Sequence, residues 1–99
     1  MSFKELGNEV GELVESKQKQ YGDSVGKTGR ILMILFPEGI KTHQYDDALL
    51  IVRILDKISR LAQRPASGKD LGGESPYRDM AGYGLLGLKK DEHPNGKPF

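Results

Sequence analysis

DDALLIVRILDKISRL, residues 46–61, decides the fold. Ala48, Ile51, Val52, Leu55, Ile58 and, just beyond, Ala62 recur three and four residues apart, the spacing that lines one face of an α-helix. Leu49, Leu50, Ile54 and Leu61 widen that face until most of the circumference is apolar, so the helix is expected to be central and largely buried. It is predicted to run from His43 or Gln44 to Gln63, with Thr42 as its cap. The remaining strip carries Arg53, Lys57, Arg60 and Arg64, with Asp46 at its start, and Asp56 stands between strip and apolar face.

A central helix needs others to cover it, and the flanking sequence supplies three. Ser2 and Glu5 form a capping box ahead of a helix predicted over Phe3–Gln20. Phe3, Leu6, Val10, Leu13 and Val14 make its apolar stripe, Glu5, Glu9 and Glu12 lie on another face, and Gly22 suits its end. A second helix is predicted to start at Asp23 or Ser24, either of which can cap it. It carries Val25, Thr28, Ile31, Leu32 and Leu35 on one side and stops at Pro37 and Gly39. Gly26 and Gly29 weaken it and fit either a loose first turn or a close approach by another backbone or a ligand. PASGKDLGGE, 65–74, is a glycine-rich loop. Ser75 as cap and Pro76 in the first helical position then open a last helix, which reaches Lys90 despite Gly82, Gly84 and Gly87. The expected product is an all-α domain of four helices over 1–90 with a flexible tail, 91–99; no strand, internal repeat or heptad run is visible.

Composition removes several function classes. The chain has 99 residues and a net charge of +1, without the basic footprint of a nucleic-acid binder. It has no cysteine, which excludes disulfides and thiol chemistry and fits a cytoplasmic protein. The longest apolar run, ILMILF at 31–36, is far short of the roughly 20 residues that span a bilayer, and the N-terminus has no signal-peptide core. A chain this short buries little surface by itself, so a homo-oligomer is expected. GDSVGKTGR, 22–30, looks like a phosphate-binding P-loop, but it has one residue too few between its glycines and follows a polar, helix-like stretch rather than a buried strand.

The candidate chemistry lies elsewhere. Glu9 and Glu12 sit three apart on one helix face and can share a hard cation such as Mg²⁺, or simply form a solvated acidic face. Asp56 is either the i,i+4 partner of Arg60 or a metal ligand among phosphate-holding cations, Arg53, Lys57 and Arg60. Glu74 and Asp79 flank the start of the last helix, where acids complement the dipole and where a phosphate can also bind. Tyr77 and Tyr83 can stack on a base or only pack. Lys27 and Thr28, beside the two glycines, suit a phosphate contact. His43 and His93 have no metal-ligand spacing, and Ser75 fits a cap better than a nucleophile.

Taken together, Y-G-D at 21–23, DDALLIVRILDKISRL at 46–61 and ESPYRDMAGYGLL at 74–86 resemble a family of small phage and prophage proteins. Its shared pattern is Y-G-D, then K-I-x-R, then E-S-x-x-D-x-A-G-Y, and the likeness covers residues 5–88. That family in turn looks like the all-α, MazG-like nucleotide pyrophosphohydrolases, usually oligomeric, which split an NTP into NMP and pyrophosphate with carboxylate-held Mg²⁺. The resemblance implies a MazG-like bundle in which Glu9 and Glu12 supply the E-x-x-E. The later E-x-x-D is not present as written, and Asp56 and Asp79 stand in for it. Metal would then rest on Glu9, Glu12, Asp56 and Asp79, with Glu74 taking a proton and Lys57 and Arg60 facing phosphates. Two alternatives remain open. One is a non-catalytic phage protein in the host cytoplasm that sequesters a signalling nucleotide against host defence, using Lys27, Thr28, Arg53, Lys57, Arg60 and the tyrosines. The other is a helical protein-interaction module.

Overall fold

The computed structural model describes residues 1–67 and 75–92. Four α-helices account for most of them: α1 Phe3–Tyr21, α2 Ser24–Leu35, α3 Tyr45–Ala62 and α4 Pro76–Asp91, with a one-turn 3₁₀ helix, Thr42–Gln44, leading into α3. There is no strand among the described residues, as the periodicity implied, and no helix long and apolar enough to cross a membrane. Most of the glycine-rich loop and all but Asp91 and Glu92 of the expected tail, with Glu74 and His93, lie outside the described residues.

Local chemistry explains where the helices begin and end. The capping box of α1 forms: Glu5 N–H donates to Ser2 Oγ at 3.1 Å and Ser2 N–H to Glu5 Oε1 at 3.5 Å. Gly22 ends α1 with φ +59°, and its N–H donates to the Gln18 carbonyl at 2.7 Å. Pro76 begins α4 and is fully buried. Three expected caps are replaced. Asp23 occupies the cap position of α2 at φ +56° without a side-chain bond, because its carboxylate lies instead against Gly26 and accepts from Gln18 Nε2 at 3.3 Å. Thr42 opens the 3₁₀ turn rather than α3, and Ser75 flanks α4 through its carbonyl alone, accepting from Arg78 and Asp79 N–H at 3.1 and 3.3 Å.

α3 is the hub on which α1, α2 and α4 each pack. Its centrality was legible; its burial was not. Of its apolar residues only Ala48 is buried, most are half-covered, and Leu49 and Ile58 are exposed. Three short helices cover a cylinder incompletely. The side of α2 is also corrected: Ser24 and Thr28 are buried and Ile31 and Leu32 half-buried, while Val25 and Leu35 face outward. Gly26 and Gly29 admit no neighbouring helix; a Cβ at Gly26 would meet Asp23's own carboxylate, and one at Gly29 would meet open space.

The turn from α1 to α2 is the tightest joint. Gly22 and Asp23 are both left-handed, a conformation that costs an L-residue about 1–2 kcal/mol. A Cβ on Gly22 would also fall within 2.5 Å of the Gln63 side chain at the end of α3. Gly22→Ala is therefore expected to lose about 1–3 kcal/mol, strain and clash together. Adding Gln63→Ala should restore only the clash portion, as read by thermal unfolding of both variants.

Candidate functional site

That joint rests on α3 by two side-chain hydrogen bonds. Ser24 Oγ donates to Asp56 Oδ1, and Ser59 Oγ donates to the carbonyl of Tyr21, both short. Asp56 and Ser59 are three residues apart, so they project from one face of α3 toward the turn. Tyr21, Gly22, Asp23 and Ser24 thus have distinct roles: a capped carbonyl, two left-handed residues and a hydroxyl for Asp56.

Beside the joint opens a cavity of about 320 Å³, in the lower range of small-ligand sites. The last turn of α1 gives it Lys17, Gln18 and Tyr21, and the first turn of α2 gives Ser24 and Val25. Arg53, Asp56 and Lys57 enter from α3, and Tyr83 from α4. The lining therefore holds three cations and one carboxylate, and that carboxylate already accepts from Ser24. The Tyr21 ring lies between two ammonium groups, Lys17 Nζ at 5.9 Å and Lys57 Nζ at 5.7 Å from its centroid. A second cavity, about 390 Å³, continues along α3 and α4 past Arg53 and Tyr83, which line both; Leu49, Leu50 and Leu86 make it apolar.

Lys57 is held in place by Asp79, Nζ to Oδ2 at 3.3 Å. Burial disfavours its charge, but the hydrogen bond to Asp79 and the electrostatic influence of Tyr21, Asp79 and Tyr83 outweigh it, so its pKa lies above the ordinary 10.5. The site keeps this cation at any physiological pH.

The structure gathers some of the sequence candidates and disperses others. Arg53, Asp56, Lys57 and Tyr83 share the first cavity, and Asp79 adjoins it through Lys57. Glu9 and Glu12 stand on the exposed length of α1 and do not line it. Thr28 is buried while Lys27 is exposed, and neither lines the first cavity. Arg60 is buried, and Asp56 is hydrogen-bonded to Ser24. Tyr77 packs under Arg64, ring centroid to guanidinium 5.6 Å. Glu74 lies outside the described residues. Among the described residues, no group of three or more His, Asp or Glu side chains is spaced to hold a metal. Lys17, Tyr21 and Ser24 escaped sequence reading as site residues; the i,i+4 pairing of Lys17 with Tyr21 at a helix end was their signal.

Compared with known proteins, the chain matches no family model, no curated protein and no solved structure.

The Lys57–Asp79 pair gives a pH signature. An upward shift means that the pair's contribution to stability is whole below pH 10.5 and disappears as the pH rises through the folded-state value. The wild type should therefore lose stability above pH 10.5 more steeply than Asp79→Asn, followed by thermal unfolding across pH 8–12. Ser24→Ala, which strips Asp56 of its donor, is expected to cost about 1–3 kcal/mol in the same measurement.

Proposed function

We propose that this protein binds a nucleotide or a close relative, an anionic phosphate carrying an aromatic ring, in the cavity between α1, α3 and α4. The observation that carries the reading is the convergence of Lys17, Arg53 and Lys57, from two helices, around two tyrosines. Three cations stand against Asp56 in the lining and Asp79 beside it, so the balance remains positive and favours an anion. Phosphate oxygens would take charge-assisted hydrogen bonds from these side chains. The first turn of α2 adds to this, because its free N–H groups and the positive end of its dipole lie at the same wall. Tyr21 and Tyr83 offer ring faces for a base, and the adjoining apolar cavity offers it space.

Binding without turnover is the version these contacts favour. Hydrolysis by a MazG-like route needs several carboxylates free to hold Mg²⁺. Here Asp56 is engaged by Ser24 and Asp79 by Lys57, so the residues at this cavity fit an anion better than a metal. A protein that holds a nucleotide unchanged acts by lowering its free concentration, which suits the role of sequestering a signalling nucleotide.

A panel of canonical and cyclic nucleotides, with and without Mg²⁺, tests this by calorimetry and by chromatography of the products. The expected result is binding without Mg²⁺ and recovery of the ligand intact. Lys17→Ala and Arg53→Ala should each weaken it about tenfold or more, the effect of losing about 1.4 kcal/mol. Asp79→Asn separates the two mechanisms. It frees Lys57 for phosphate, so affinity should hold or rise, whereas a pyrophosphohydrolase that uses Asp79 for metal would lose activity. Mg²⁺-dependent release of NMP and pyrophosphate would overturn sequestration in favour of the enzyme.

A further inference from the structure

Helix α1 is amphipathic, yet its apolar side is left exposed. Every residue from Phe3 to Lys19 is exposed, and only Gln20 and Tyr21, at the end pinned to α3, are half-buried. Phe3 is 94% exposed, and Leu6, Val10, Leu13 and Val14 are all more than two-fifths exposed. An apolar stripe left open in this way is a surface that a partner can cover.

We infer that α1 pairs with α1 of a second copy of this chain, antiparallel, so that each copy's N-terminal turn closes the other's cavity. The spacing sets the register. Phe3, Leu6, Val10 and Leu13 follow one another at three, four and three residues, and Lys17 and Gln20 continue the same seam. In an antiparallel pair overlapping along its full length, Val10 meets Leu13 of the other copy, and Leu6 meets Lys17. The lysine's aliphatic stem covers the leucine while its ammonium stays free for the cavity. Glu5 then comes alongside the other copy's last turn, which carries Lys17 and Lys19. A parallel pair would instead set Lys17 against Lys17 within the seam and run the two acidic stretches from Glu5 to Glu15 side by side. Charge therefore selects the antiparallel orientation.

This orientation involves the site directly. Lys17, Gln18 and Tyr21 form the α1 wall of the cavity, and the other copy's first turn, led by Phe3, lies against that wall. The pairing stands on α1 alone. Its use in enclosing a ligand rests on the nucleotide-binding reading, so the test is made without ligand.

The absence of native cysteine makes cross-linking unambiguous. Leu6→Cys and Lys17→Cys chains are prepared separately, mixed and oxidised, beside each variant alone, while sedimentation gives the mass of the wild type and of Leu13→Glu. All substituted positions are exposed, and circular dichroism confirms that the helices persist. The expected result is a disulfide-linked product in the mixture and little in either variant alone, with a wild-type assembly that Leu13→Glu reduces to one chain. Efficient linking of Leu6→Cys to itself would mean a parallel pair and overturn the inference. A wild type that sediments as a single chain at tens of micromolar, or no linking in any sample, would overturn it equally.

Discussion

The hydrogen bonds from Ser24 to Asp56 and from Ser59 to the Tyr21 carbonyl are the constraint on which the rest depends. Without them the α1–α2 turn has little reason to stay left-handed at two successive residues, one of them not glycine. With them, the end of α1 and the start of α2 are fixed against one face of α3. Lys17 and Tyr21 are thereby brought to Lys57, which comes from 40 residues further along the chain. The same two bonds that hold the fold thus assemble the cavity, and the polar groups within the joint are matched before any ligand arrives.

The electrostatics of the cavity follow from unequal pairing. Lys57 has Asp79 as a close partner, which fixes its position and preserves its charge. Asp56 has a neutral partner, the Ser24 hydroxyl, which fixes its orientation. Lys17 and Arg53 complete that field from opposite walls, and the tyrosine rings between them give it shape. A net charge of +1 over the whole chain conceals this local concentration.

The sequence made the helices legible because each is written in short-range terms. The Ser2–Glu5 box, Gly22, Pro76 and the three-four spacing of α3 act within a few residues, and all four mark the structure where expected. What failed was anything that depends on a neighbour. The periodicity of α3 could not say that its face would be only half-covered, nor that Val25 would face outward while Thr28 turned in. For Asp56 the sequence offers either an ion pair with Arg60, four residues away, or a metal; the hydroxyl of Ser24, 32 residues away, is a partner no local pattern shows. Arg53, Lys57 and Tyr83, singled out for their chemistry, line the cavity; Lys17 gave no such sign, because only the packing of α1 on α3 reveals what it faces. The periodicity of α1 likewise showed an apolar stripe but not that its own chain would leave it exposed.

The hub position of α3 has a consequence for how the chain is made. Synthesis runs from the N-terminus, so α1 and α2 emerge first, and nothing they pack on exists until Tyr45–Ala62 has followed. Helices of 19 and 12 residues are marginal in water by themselves. Until α3 follows, α1 and α2 therefore form a fluctuating segment whose apolar stripe is open to other nascent chains. Only when α3 appears can the turn at Gly22 and Asp23 lock, and α4 follows last.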